Sequence, residues 1–224
     1  MDRQINRINE ACMAAERIIN AVECAGYDLS DPDTIIHDGW GGLPNDLQYA
    51  YGASRLVIWD EDYCDYVIKV ALGKSFEKYC KREVEVYAAA VKEGLQDSFG
   101  WCMCYSEPVE EEENYVPGIY VMEYLDCNED EVYDDAWCHG YKEYCRSHGL
   151  DASNYDNASQ YDNWNEGDDS DLVLDLLESN MSNEYRRMFE VFMCKWKITD
   201  IHQGNISCLC DGHRKIVDYG GWDW

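Results

Sequence analysis

Positive charge is what this sequence has least of. Its 224 residues carry 18 Lys and Arg against 46 Asp and Glu, a formal net charge of −28. A surface of that sign repels phosphate backbones and anionic lipid, which excludes sequence-independent binding to nucleic acid or to acidic membranes. Long apolar runs are missing as well. The longest unbroken one, Val86 to Val91, falls far short of the ~20 residues that span a bilayer. The opening Met1-Asp2-Arg3-Gln4 leads into a mixed-charge stretch, without the apolar centre of an export signal. No repeat of fixed period is present. These absences predict a soluble, cytoplasmic chain.

What is present is enough for a folded core. Hydrophobic residues make up 46% and aromatics 13%, which argues against global disorder. The length fits one domain or two small ones, at a soft prior of ~150 residues each. Twelve cysteines without an export signal predict reduced thiols rather than a disulfide framework. Two Cys-x-Cys pairs, Cys102/Cys104 and Cys208/Cys210, have one residue between the sulfurs, where zinc sites usually have two to four. Both pairs lie in strand-like runs, where alternate residues share a face, so buried structural thiols are expected.

The chain changes character along its length. Ile5, Ile8, Cys12, Ala15, Ile19 and Val22 recur three or four apart, predicting an amphipathic helix over Ile5 to Cys24. A turn-rich link follows, Asp28 to Asn45. From Gly52 the pattern becomes strand (Leu56 to Trp59), acidic turn (Asp60-Glu61-Asp62) and strand (Tyr66 to Val70). Ser75 to Leu95 reads as a helix with Gly94 near its end. Trp101 to Tyr105 and Gly118 to Leu125 read as strands around an acidic hairpin loop, Glu110 to Glu113. Helix is expected for Asp130 to Leu150 and Leu172 to Trp196. Between them, Asp151 to Asp171 is so polar that a long mobile loop is expected. A last hairpin, Ile206 to Cys210 and Lys215 to Val217, turns at Asp211-Gly212.

Five polar residues fall on this pattern at telling positions. Lys69 lies inside a strand, between Ile68 and Val70, where an unpaired ammonium is costly and needs a carboxylate or a ligand phosphate. Glu83 on the next helix is an available partner. Asp200 and Asn205 bracket Ile201-His202-Gln203-Gly204, and Asp218 follows the last strand in Ile216-Val217-Asp218-Tyr219-Gly220. An amide and a carboxylate brought together through a hairpin suit Mg²⁺, which takes a few oxygen ligands and substrate phosphates. Singly, each has an ordinary reading: Lys69 as an edge-strand solubiliser, Asp200 as a helix stop, Asp218 as a turn residue.

In this order and spacing the chain resembles the protein-kinase-like superfamily, which includes the aminoglycoside- and choline-type phosphotransferases. Val67-Ile68-Lys69 is similar to the strand bearing the nucleotide-binding lysine. Arg82-Glu83-Val84-Glu85-Val86-Tyr87 resembles the helix whose glutamate pairs with it. Glu83 is preferred, since Val86 and Tyr87 supply the apolar residues three and four on; Glu85 is the alternative. Tyr120 to Leu125 resembles the hinge strand, which implies that Met122 borders adenine and that the backbone of Glu123 and Leu125 bonds it. Asp200 to Asn205 resembles the catalytic loop, implying Asp200 as base and Asn205 on Mg²⁺. Asp218-Tyr219-Gly220 resembles the Asp-Phe-Gly metal motif. The resemblance runs from about Tyr51 to Gly221.

Departures from the family pattern shape the expectation. Only Tyr51-Gly52-Ala53-Ser54-Arg55 stands where a Gly-rich loop belongs, with Gly52 and Ser54 as the residues able to bring backbone N–H groups to phosphate. Ile198-Thr199 replaces His-Arg before the base, and His202 is closer to the Asp-x-His-x-x-Asn of small-molecule phosphotransferases. The sequence stops at Gly221-Trp222-Asp223-Trp224, as in short kinase-like proteins, many of them phage-encoded. The resemblance therefore implies an α+β, kinase-like fold. Its parts are a helix and linker over 1–50, a small antiparallel N-lobe with one helix over 51–125, and a truncated helical C-lobe over 126–224 containing the loop 151–171. The function implied is a minimal ATP- and Mg²⁺-dependent phosphotransferase acting on a protein or small-molecule hydroxyl. The alternative is a kinase-like scaffold whose acidic surface binds and inhibits a basic protein.

Overall fold

The computed structural model describes residues 2–38, 43–44, 46–63, 65–111, 114–164, 169–208 and 214–220. The chain divides into two compact units, Met1–Gln96 with Gly100–Tyr124, and Asp97–Phe99 with Leu125–Trp224. The fold is α+β. The turn residues Asp211 and Gly212, Cys210 and the final four residues lie outside the described residues.

The first unit opens with helix α1 (Asp2–Cys24). Its buried stripe is Ala11, Ala15, Ile18 and Val22, spaced four, three and four apart. That face is turned from the one periodicity selected: Ile5 and Ile8 are exposed at 49% and 39%. Small alanines sit where the backbone of α1 approaches the sheet, and the bulkier isoleucines of the first turns lie off it. The described residues of the link 28–45 are also more ordered than a turn-rich reading implies. They hold helix α2 (Pro32–Asp38), anchored by fully buried Ile35.

Strands β1 (Leu47–Tyr51), β2 (Arg55–Asp60) and β3 (Tyr66–Ala71) follow, then helix α3 (Glu77–Glu93). Strand β4 (Cys102–Ser106), the small hairpin β5 (Val109–Glu111) and β6 (Asn114–Val116), and β7 (Ile119–Glu123) complete the unit. The main sheet is antiparallel in the order β1-β2-β3-β7-β4. Every residue of β3 is buried, because helices cover both sides of it. Ile68 and Val70 join the cluster of Ala11, Ile18 and Val22 from α1, together with Val121 of β7. Ala71, of opposite parity, packs with Cys80 of α3 and Tyr120. Alternation along a strand thus assigns Lys69 to the α3 side. Helix α1 contacts β2, β3 and β7 and belongs to the same compact unit. Helix α3 ends at Gly94, whose φ of 76° is the left-handed conformation that a helix C-cap favours.

The second unit is mainly helical. Helix α4 (Glu129–His148) is capped by Asn128, whose side chain accepts the Glu131 N–H at 3.3 Å. Helices α5 (Ala158–Trp164), α6 (Asp169–Glu178) and α7 (Asn183–Trp196) follow, then the hairpin β8 (Ile206–Cys208) and β9 (Arg214–Ile216). Phe99 packs against Phe189 and Phe192 of α7 and edge-on against Tyr219. It ties the helix before Asp200 to the residue after Asp218.

The segment 151–171 is not the loop its composition suggests. Apart from residues 165–168, which lie outside the described residues, it contains α5 and the start of α6. The reason is aromatic. Tyr161 is fully buried among Tyr141, Tyr144 and Trp137, with T-shaped contacts at 5.4 and 5.7 Å. The Tyr141 hydroxyl donates to the Asn154 carbonyl at 2.5 Å, and Trp137 Nε1–H to Asp162 at 2.9 Å. A Cβ at Gly140 would lie 2.1 Å from the Tyr161 hydroxyl, so α4 admits this ring only where it lacks a side chain. Tyr161→Ala should destabilise the protein by ~3 kcal/mol, as for other buried aromatics. Urea unfolding checks this, and limited proteolysis of the variant should open new sites between residues 151 and 164. An unchanged midpoint would mean that the segment does not fold onto α4.

Candidate functional site

In the first unit the chemistry gathers on Glu83. Lys69 Nζ lies 3.0 Å from Glu83 Oε1 and 3.3 Å from Oε2. Arg55 Nη1 donates to the same Oε1 at 2.8 Å. The side chains of Arg55, Lys69 and Glu83 are only 7%, 7% and 2% exposed. Water therefore solvates little of any charge, and each depends on the others. Removing one partner from such a buried set typically costs ~3–5 kcal/mol. The register explains the meeting: Val57 pairs with Lys69 and Arg55 with Ala71, so Arg55 and Lys69 share one face of the sheet. Glu83 comes from α3, where Val86 is fully buried three residues on, while Glu85 is exposed.

Strand β7 is part of the same sheet. Met122 is 2% exposed, between Val67 and Cys102 on the neighbouring strands. The Glu123 N–H donates to the Trp101 carbonyl at 2.8 Å, and its carboxylate accepts the Trp101 N–H at 3.1 Å and pairs with Arg7 at 2.9 Å. Arg7 also lies over the Trp101 ring, 5.2 Å from its centroid. Leu125 accepts the Cys127 thiol at 3.6 Å. Gly52 and Ser54 occupy the tight β1–β2 turn, closed by the Gly52 N–H to Arg55 carbonyl bond at 3.0 Å. The Ser54 carbonyl is taken by the Leu72 N–H at 2.9 Å.

A second buried carboxylate sits at the start of α3. Glu77 accepts hydrogen bonds from the Tyr115 and Tyr120 hydroxyls and, at 3.3 Å, from the Gly118 N–H. Burial and these hydrogen bonds to a carboxylate push both phenols well above their usual range. A Cβ at Gly118 would meet Glu77 Oε1 at 2.7 Å, so the approach requires glycine. Sequence reasoning missed Glu77 and Arg55. An acidic residue in a first helical turn reads as complementing the helix dipole, and an arginine at a strand start reads as solvated. Only the shared parity of Arg55 and Lys69, once the strands are paired, gives a signal.

In the second unit residues 200–205 form a hydrogen-bonded knot. Asn205 is buried, and its Nδ2 donates to the Asp200 carbonyl at 3.0 Å, which leaves Oδ1 as the side chain's acceptor. The Asn205 carbonyl accepts the Val217 N–H at 2.8 Å, bringing it to the residue before Asp218. His202 accepts the Gly204 N–H through Nδ1 at 3.1 Å, and its Nε2 lies 3.8 Å from Asp200 Oδ1. The Asp200 side chain remains 40% exposed. Asp218 has a φ of 55°, a left-handed conformation uncommon outside glycine and often found at functional sites. Asn205 Oδ1 and the Asp218 carboxylate are hard oxygen donors of the kind Mg²⁺ takes. Among the described residues no group of three or more His, Cys, Asp or Glu is arranged to hold a metal ion. No helix among them is long and apolar enough to cross a membrane.

No family model matches the chain, and no curated protein matches it. Two solved structures are similar. One is the GDP and kanamycin complex of APH(2")-IIia, at 12% identity and a TM-score of 0.38, over 84% of this chain and 71% of that one. The other is an aminoglycoside phosphotransferase from Alicyclobacillus acidocaldarius subsp. acidocaldarius DSM 446, at 13% identity and a TM-score of 0.33. That match covers 79% of this chain and 63% of the other.

Two thiols report on the packing around Glu83 and Glu77. Burial, reinforced by nearby carboxylates, raises Cys80 to about 12 and Cys104 to about 11. Because the thiolate is the reactive form, both should resist iodoacetamide in the native protein at pH 8, while exposed Cys24 and Cys194 react. Cys104 labelling should climb only as pH approaches 11. Peptide mapping by mass spectrometry reads this directly, and Cys80 labelled as fast as Cys24 would contradict the packing.

Proposed function

We propose that the protein is an ATP- and Mg²⁺-dependent phosphotransferase acting on a hydroxyl of a protein or a small molecule. The observation that carries the reading is the buried Lys69–Glu83 pair, a strand lysine held by a helix glutamate at 3.0 Å. A buried ammonium fixed at that cost has an evident use in meeting the charge of nucleotide phosphates. The oxygen donors of Asn205 and Asp218 suit Mg²⁺, which when bound would neutralise phosphate charge.

Each side chain then has a task. Lys69, steadied by Glu83, binds phosphate oxygens. Met122, Glu123 and Leu125 form the adenine edge, and Gly52 and Ser54 the turn over the phosphates. Asn205 and Asp218 hold the metal. Asp200 orients the acceptor hydroxyl and accepts its proton as the new oxygen–phosphorus bond forms and ADP departs. Its exposed carboxylate and gripped backbone carbonyl suit that task, since phosphoryl transfer depends mainly on positioning and charge stabilisation. His202 is placed to steady Asp200 from one side.

Asp200→Asn should bind Mg-ATP nearly as wild type does but lower transfer, or hydrolysis with water as acceptor, by ~100-fold or more. Wild type should gain Mg²⁺-dependent thermal stabilisation from nucleotide, and Asp218→Ala should lose it. A coupled assay of ADP release needs no knowledge of the acceptor. Equal rates in wild type and Asp200→Asn, with nucleotide bound by both, would remove the enzymatic reading. The scaffold reading, supported by the net charge of −28, would then stand, with a basic protein as partner.

A further inference from the structure

We propose that Arg55, and not Lys69, is the structural counter-ion of Glu83, so that Lys69 is free to move its charge onto a ligand. The proposal rests on the nucleotide reading for what Lys69 meets, but its structural half stands without it.

Three observations support the division of labour. First, the Arg55 bond to Glu83 is the shorter one, Nη1 to Oε1 at 2.8 Å. Lys69 straddles both oxygens more loosely, at 3.0 and 3.3 Å. Secondly, both cations reach Glu83 from neighbouring strands on one sheet face, so withdrawing one leaves the other in place. Thirdly, the chemistries differ. A guanidinium is permanently charged, planar and weakly hydrated, and suits a lasting buried pair. An ammonium is a point charge on a flexible four-carbon stem, able to swing between acceptors.

A lone Lys–Glu pair faces a conflict that this arrangement removes. If the lysine turned to a phosphate, its glutamate would be left buried at 2% exposure with a charge and no partner. With Arg55 on Oε1, the carboxylate stays compensated while Lys69 leaves. Arg55 is thus a positioning residue, acting on the ligand only through Glu83 and Lys69.

The test compares Arg55→Met, Arg55→Lys, Lys69→Met, Glu83→Gln and the double variant Arg55→Met/Glu83→Gln. Urea midpoints and Mg-ATP affinity are read for each. Arg55→Met should lower the midpoint by at least about twice as much as Lys69→Met, and failure of Arg55→Met alone to fold counts as support. Arg55→Lys should recover most of the lost midpoint. Lys69→Met destabilising as much as Arg55→Met, or Arg55→Met matching wild type, overturns the proposal. These readouts involve no nucleotide, so they decide it even where wild type binds none and the functional reading fails.

Where wild type does bind, Lys69→Met should lose ~10-fold or more in affinity while Arg55→Lys stays within ~3-fold of wild type. Affinity losses for Arg55→Met and Glu83→Gln should be non-additive, the double variant falling no further than Glu83→Gln alone. A residue that only stabilised the fold would not show that coupling. If Arg55→Lys loses as much affinity as Lys69→Met, or the losses add, Arg55 does not act through Glu83 and the proposal fails.

Discussion

Burying three charges on one face of a small sheet constrains nearly everything else in the first unit. Glu83, Lys69 and Arg55 have little water, so strand pairing, helix register and side-chain parity must bring them within hydrogen-bond distance together. A slip of β2 by one residue would turn Arg55 to the α1 side, into Ile18, Val22 and Ile68. A rotation of α3 by one residue would replace Glu83 with a neighbour of the wrong chemistry. Glu77 fixes the other end of α3: its bonds to Tyr115, Tyr120 and Gly118 hold the helix start to the β5–β6 hairpin and β7. The helix that presents Glu83 is thus fastened at two buried carboxylates.

Scarce positive charge makes the placement of each cation informative. Besides Arg55 and Lys69, Arg7 pairs with Glu123, Arg17 with Asp60, Arg186 with Glu178 and Arg214 with Asp135. Glu123, Asp60 and Glu178 are themselves well covered. Arg7, Arg17 and Arg186 thus compensate carboxylates that folding removes from water. Exposed acidic residues, by contrast, have few cations nearby, and the surplus negative charge stays in solvent, where it costs least.

The fold was legible where period and punctuation agreed. Gly94 ended the helix it was expected to end, and the alternation around Lys69 placed it inside a buried strand. Periodicity could not choose between the two adjacent stripes of α1, because Ile5 and Ile8 are apolar but lie beyond the sheet's reach. Composition misjudged 151–171 because three or four buried aromatic rings suffice to order a polar segment, and a count of Asp and Asn does not register where Tyr161 lands. The Lys69–Glu83 pair was readable from a lysine inside a strand and a glutamate on the next helix. Arg55 and Glu77 were not, since each sits at the start of an element, where charge ordinarily faces water.

The central claim is that this charge arrangement exists to hold a nucleotide with Mg²⁺. Calorimetric titration of ATP into the wild-type protein, with Mg²⁺ and then with a chelator, tests it most directly. The account predicts one saturable site with the metal present and an affinity at least ~10-fold weaker without it. No saturation at millimolar ATP in either condition would contradict it.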